Sequence, residues 1–83
     1  SPARGSQAAL SYNMAGAGNV DLKIWNEKAE LVARVTDQKP GGVQVTSFSI
    51  AGFASGVYFY ALTIQYNSGL VQKIGPQKFV ILH

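Results

Sequence analysis

Short stretches in which apolar and polar residues alternate recur along the chain, and this period of two is typical of half-buried β-strands. In 20–25 the apolar residues Val20, Leu22 and Ile24 are separated by charged ones, and residues 10–14 show the same alternation. The pattern predicts an all-β protein.

The segment 53–64 is the longest apolar stretch and is expected to be the central strand. A turn of small residues leads into a run of β-branched and aromatic residues, which favour a pleated surface over a helix. Since almost every position is apolar, the strand is expected to be packed on both faces. Gly56 lies two residues before Tyr58, a spacing similar to that of the tyrosine corner of immunoglobulin-like sandwiches.

The remaining strands are predicted between residues that favour turns. Residues 30–35 are interpreted as a strand with a bulge, with a short helix over 27–35 as the alternative. The strongest break is expected at 37–42, and Pro76 is expected to separate or bend the last two strands, 70–74 and 77–82. Together these segments predict a small antiparallel immunoglobulin-like sandwich of about seven strands.

The length of 83 residues corresponds to one domain. Residues 1–8 are polar and irregular and are interpreted as a linker or cloning remnant, and the domain is expected over 9–83. The net charge is +3, with all four acids between residues 21 and 37 and only lysines after them. This asymmetry favours either simple solubility and protected strand edges, or attraction of an anionic partner.

The sequence shows no sign of an active site, so we expect no catalytic residues. His83 is the only histidine and there is no cysteine, whereas acyl transfer needs a nucleophile, a base and an orienting group together. We also expect no metal and no cofactor, because the four carboxylates form no ligand motif. Basic residues are scattered, which argues against nucleic-acid binding. The longest apolar run is far shorter than the ~20 residues of a transmembrane helix.

Two aromatic residues are candidates for an interface. If Tyr58 and Tyr60 face the core, Phe59 faces outward from the central strand, and Trp25 points away from Leu22. An apolar outer face on a small domain often marks an interaction surface. We therefore predict that Trp25 and Phe59 contact a partner protein or a second copy of the chain, unless the second sheet covers that face.

Five segments together resemble a known family. They are 10–14, 17–26, 40–42, 53–62 and 78–83. They are similar to the type A C-terminal sorting domains of the type IX secretion system, whose superfamily includes the immunoglobulin-like domain of the flagellar hook-capping protein. The segment ASGVYFYAL is the most specific part of the resemblance, which covers nearly the whole chain.

The resemblance implies a non-catalytic sorting and attachment domain of a larger secreted protein, recognised by an outer-membrane secretion apparatus. The implied location is secreted or at the cell surface, associated with the outer membrane. The positions that it implicates in the fold or in recognition are Gly56, Tyr58, Tyr60, Lys78, Phe79 and Ile81. Ala29 stands where the first hairpin of the family usually has Gly, so that turn is expected to differ.

Two other functions remain open at this stage. A self-assembling structural module is favoured by the low charge and by the apolar outer stripe, because an edge strand offers a route to association. A carbohydrate-binding accessory domain would need coplanar exposed aromatics, for which Trp25, Phe59 and Tyr66 are the candidates.

Overall fold

A computed structural model describes residues 5–83. Residues 1–4 of the expected linker over residues 1–8 lie outside this range, and the first strand begins at Gln7, two residues before the expected domain boundary. The elements are six β-strands: β1 (Gln7–Met14), β2 (Gly18–Asn26), β3 (Leu31–Lys39), β4 (Gly42–Ser49), β5 (Gly56–Tyr66) and β6 (Val71–Ile81). The predicted small all-β antiparallel sandwich is confirmed, with six strands where about seven were expected.

The strands form two antiparallel sheets of unequal width. The larger sheet has the order β3-β2-β5-β6, and the smaller sheet pairs β1 with β4. Since β1 and β2 belong to different sheets, the loop at 15–17 carries the chain from one sheet to the other. The central strand predicted within 53–64 is β5, which begins only at Gly56 and is internal as expected, between β2 and β6.

The core lies between the facing sides of the two sheets. The alternation seen in the sequence is confirmed for β2, where Val20, Leu22 and Ile24 are at most 1% exposed. Leu62 and Ile64 of β5 are equally buried beside them. Within the smaller sheet, the hydroxyls of Tyr12 and Thr46 share a buried hydrogen bond of 2.7 Å, so the polar atoms of this interface are paired.

The central strand is not packed on both faces, contrary to the expectation from its composition. Its inner face is buried, whereas Val57, Phe59, Ala61 and Thr63 on the other face are only half-buried. The cause is that the second sheet covers only one side of the larger sheet. The apolar residues on the opposite side are shielded by neighbouring strands alone.

The segment after the first hairpin is a strand, as predicted for residues 30–35, and the alternative helix over 27–35 does not form. β3 pairs with β2, and the register shifts because Ile24 lies opposite Ala33 while Trp25 lies opposite Leu31. Val32 is thus the extra residue of the expected bulge. Pairing with β2 also overrides the predicted break at 37–42, because β3 continues to Lys39 and only Pro40 and Gly41 form the turn.

The last two predicted strands are a single strand, β6, which a bulge bends at Gly75 and Pro76. Leu62 lies opposite Ile74, but Tyr60 lies opposite Gln77, so two residues of β6 face one of β5. Gly75 has a φ of +90°, and a Cβ there would lie 2.7 Å from the carbonyl oxygen of Tyr60. Glycine is required at this position because any side chain would collide with β5.

Candidate interaction surface

The two predicted interface aromatics lie directly opposite each other on the outer face of the larger sheet. Trp25 of β2 is the register partner of Phe59 of β5, and both are half-buried. Directly opposed residues of antiparallel strands share one face and are close enough to contact. Leu31 of β3 extends the row, since it is paired with Trp25 and is 53% exposed.

A shallow depression of about 330 Å³ adjoins this pair. Besides the two aromatics, it is lined by Asn26, Glu27, Ala29, Ala61 and Pro76. The β6 bulge brings Pro76 beside Ala61, so these two small apolar groups line the depression next to the aromatic pair. This arrangement is suited to an apolar side chain or a peptide segment. We call Leu31, Trp25, Phe59, Ala61 and Pro76 the apolar strip.

The outer face is polar at the end of the sheet where β2 begins and β3 ends. A second depression of about 450 Å³ is lined mainly by the polar residues Asn19, Asp21, Thr36, Asp37, Gln38, Thr63 and Gln65, together with Val20. Asp21, one of its two acidic lining residues, accepts hydrogen bonds from Nε and Nη2 of Arg34 at 2.9 and 2.8 Å, one on each carboxylate oxygen. These hydrogen bonds lower the pKa of Asp21, against the opposing effect of its partial desolvation.

Three lysines lie on the outer face of the larger sheet, next to the apolar strip or just beyond it. Lys78 of β6 is the partner of Phe59, Lys23 of β2 is the partner of Ala61, and Lys73 of β6 is the partner of Thr63. The ion pairs found within residues 5–83 are Arg34–Asp21 and Lys39–Asp37. The three lysines therefore add positive charge to the outer face outside these ion pairs, while Glu27 lies at the depression. Such a face attracts acidic surfaces.

The tyrosine corner expected from the spacing of Gly56 and Tyr58 is present. Tyr58 is 7% exposed, and its hydroxyl donates to the carbonyl oxygen of Ala54 at 2.8 Å. Its ring stacks on Phe53, with 5.4 Å between centroids. Gly56 begins β5 with a φ of +156°, which residues with a side chain rarely adopt. Both residues therefore fix the entry into the central strand.

The other implicated residues of the terminal strand divide between core and surface. Phe79 lies with its ring centroid 6.0 Å from those of both Tyr58 and Tyr60, and Ile81 is fully buried. Lys78 is exposed beside them. Phe79 and Ile81 therefore hold the sandwich together, while Lys78 is accessible to a partner.

Sequence reasoning misses one feature of this surface and misplaces one residue. Pro76 and Ala61 line the depression because of a register shift that local sequence does not reveal. The grouping of Tyr66 with Trp25 and Phe59 is wrong, because Tyr66 lies on the opposite face, where its hydroxyl donates to Oε1 of Gln72 at 2.6 Å. An odd-even count along β5 separates Tyr66 from Phe59 and could have shown this.

Within residues 5–83, no three histidine, cysteine, aspartate or glutamate side chains come together at a distance suitable for a metal. The same part of the chain contains no helix that is long and apolar enough to cross a membrane.

Comparison with known proteins gives a match of fold. No protein-family model matches the chain, and no curated protein matches it. Among solved structures, the crystal structure of dimeric latent PorU from Porphyromonas gingivalis is similar, with a TM-score of 0.73 and 15% sequence identity. The match covers 98% of this chain but only 8% of that chain. The chain thus has the fold of one small part of a much larger protein.

Proposed function

We propose that this chain is a non-catalytic sorting and attachment domain of a larger secreted protein, recognised by a protein of an outer-membrane secretion apparatus. It needs no cofactor and binds no nucleic acid in this role. Its location is outside the cell or at the cell surface, associated with the outer membrane. The recognised partner is a protein that docks on the apolar strip and its lysines.

The observation that carries the proposal is the agreement between sequence resemblance and fold. The segments that resemble type IX sorting domains extend over nearly the whole chain, and PorU, which has a region of the same fold, is a type IX secretion component. The tyrosine corner also lies within ASGVYFYAL, the most specific of those segments. Because 15% identity supports a shared fold alone, the function itself requires an export experiment.

The apolar strip and Lys78 support a protein partner. The strip combines a large aromatic pair with a small depression, and protein interfaces are enriched in such aromatic anchors. Lys78, next to Phe59, adds positive charge at its margin. A complementary partner surface carries an apolar anchor beside carboxylates, and the charges increase the rate of association.

Export of a reporter protein tests the proposal. A reporter fused in front of the domain is expressed in a bacterium with a type IX secretion system, and the exported fraction is measured. We expect the fusion to be exported and Phe59→Ser or Lys78→Glu to reduce export severalfold. Removing 78–83 is not an equivalent test, because it deletes the buried Ile81 and damages the core.

Matched control variants separate recognition from folding. Val43 is 75% exposed on β4, in the other sheet, and Ser47 is an exposed residue of the same strand. Val43→Ser removes an apolar side chain and Ser47→Glu adds a carboxylate, both away from the strip, and neither should change export. Absence of export of the unmodified fusion would rule out the sorting function. Equal loss in the control variants would rule out the strip as its recognition surface.

Self-association is the second candidate function, because some large apolar side chains are exposed. The most exposed are Val43, Leu70 and Val71, at 75%, 71% and 56%. Light scattering across a range of concentrations tests it. A monomer at all concentrations supports the sorting domain, whereas concentration-dependent growth favours a self-assembling module. The carbohydrate alternative loses its main support because Tyr66 lies on the opposite face from Trp25 and Phe59.

A further inference from the structure

Two sheets have four edge strands between them, and three of these edges carry features that oppose pairing with another strand. The edge of β6 contains Pro76, the bulge, and the two lysines Lys73 and Lys78. Proline, bulges and charged side chains are the usual means by which proteins protect an edge. Addition of a further strand at β6 is therefore disfavoured.

The edges of β3 and β4 are protected in a related way. β3 carries the bulge at Val32 and three charged residues. Lys39, at its end, reaches across to the smaller sheet, where its Nζ donates to the carbonyl oxygen of Val45 at 3.1 Å. A β4 carbonyl is thus already bonded, and a positive charge lies against that strand.

The edge of β1 has none of these features. Its sequence, QAALSYNM, contains no charged residue and no proline. The register with β4 is continuous from Gln7 to Met14, without a bulge. Within residues 5–83, each hydrogen bond between strands that involves β1 is to β4. A regular, uncharged edge of this kind is a template for another strand.

The smaller sheet is also narrower than the larger sheet that it covers. At a spacing of ~4.8 Å, four strands are about 19 Å wide and two are about 10 Å wide. Side-chain burial reflects the difference. Inner-face residues of the two central strands, such as Leu22 and Leu62, are fully buried, whereas Val35 of β3 and Ile74 of β6 are only half-buried.

We propose that the free edge of β1 accepts an extended segment of a partner protein as a third strand of the smaller sheet. The segment is uncharged where it faces the larger sheet and places alternate apolar side chains against it. Main-chain hydrogen bonds to β1 provide affinity, and the half-buried inner face provides selectivity, as in other cases of strand addition. This inference is independent of the proposed sorting function.

A single segment fits this edge better than a second copy of the chain. Two copies joined β1 to β1 would form one smaller sheet of four strands, about 19 Å wide. Two larger sheets would then have to pack over it, and their combined width is about 38 Å for aligned strands. One added strand brings no second sheet with it and narrows the difference in width.

A designed extension of the full chain tests the proposal. A copy of the β4 sequence GVQVTSFS, which already suits β1 as a neighbour, is placed directly before Ser1. Residues 1–6 then connect it to β1, so that the local concentration of the added strand is high. We expect the melting temperature to rise by about 4–8 °C. Alternate backbone amides of Gln7–Met14 should exchange with solvent at least about tenfold more slowly.

The control extension is GPQPTPFS, in which three prolines remove hydrogen-bond donors and disfavour a regular strand. It should change neither the melting temperature nor amide exchange. Equal stabilisation by both extensions, or slower exchange at β3 or β6 with none at β1, would overturn the proposal. So would faster exchange in native β4, since this would mean that the copy had replaced it. A doubled molecular mass would instead assign the edge to a second copy.

Discussion

The hydroxyl of Tyr58 donates to the carbonyl oxygen of Ala54 across the turn that leads into the central strand, at 2.8 Å. The bond joins a buried side chain to the backbone four residues earlier, and the Tyr58 ring packs between Phe53 and Phe79. The loop from β4 is thereby fixed to the core at the point where β5 begins. The tyrosine corner is therefore a structural feature, and a partner need not contact it.

Tyr58→Phe removes this hydrogen bond while keeping the ring. The expected loss in the free energy of unfolding is about 1 kcal/mol, or somewhat more because the Ala54 carbonyl loses its partner. Denaturant unfolding of the two proteins measures the difference. Tyr60→Phe is the matched control, because Tyr60 lies on the same face of β5 but is only half-buried. A change as large in the control as in Tyr58→Phe would contradict this account.

Local pattern predicts most of the strands, but not all of their ends and not the way in which they pair. The alternation of Val20, Leu22 and Ile24 identifies β2 and its buried face, because one side of a strand must be apolar when one side is packed. The charged segment ending at Lys39 was mistaken for a loop, because pairing with β2 is a tertiary interaction. The spacing of residues along the chain predicts which residues of one strand share a face, but not which strands pair.

The candidate surface, too, could be predicted from the sequence only in part. That Trp25 and Phe59 point outward follows from counting along each strand. That they are direct partners depends on the register between β2 and β5, and the position of Pro76 in the lining of the depression depends on the β6 bulge. Register is set by the whole sheet together with its turns, so no local signal gives these neighbours.

The β2–β3 hairpin contains a residue in an unfavourable conformation. Ala29 has a φ of +61°, in the left-handed region that costs residues with a Cβ about 1–2 kcal/mol. The departure from the Gly typical of the resembling family thus leaves the turn in place but strained. Asn26 holds it closed, since its side-chain oxygen accepts hydrogen bonds from the amides of Lys28 and Glu30.

Ala29→Gly should stabilise the protein. Relief of the left-handed strain exceeds the extra entropy of glycine in the unfolded chain, for a net gain of about 0.5–1 kcal/mol. This corresponds to a rise in melting temperature of about 2–8 °C. Ala17→Gly is the control, because Ala17 lies in an exposed loop and has no positive φ. It should be neutral or slightly destabilising, and a gain of the same size there would refute the explanation.

The end of β6 is part of the core, and substitutions at the neighbouring residues Ile81 and Leu82 can test this. Ile81 is fully buried opposite Gly56, whereas Leu82 is 37% exposed. Ile81→Ala should cost about 2–5 kcal/mol, and Leu82→Ala about 0.5 kcal/mol or less. Thermal unfolding measures both. Equal effects would mean that the end of β6 is not packed as described, and removal of 78–83 should leave a largely unfolded protein.

The ion pair on the outer face makes stability depend on pH in the acid range. The pKa of Asp21 is lowered from its usual value of 3.8, first by the hydrogen bonds from Arg34 and only lastly by the charge of Lys23. Since the folded-state pKa is the lower one, the stabilisation is complete above 3.8 and decreases as the pH falls toward the folded-state pKa.

Titration of the Asp21 carboxyl by NMR tests the cause. Arg34→Gln should raise the pKa of Asp21 more than Lys23→Gln does. Asp21→Asn should make the free energy of unfolding decrease less steeply below pH 3.8. A larger shift from Lys23→Gln would show that long-range charge, and not the hydrogen-bonded pair, sets the pKa.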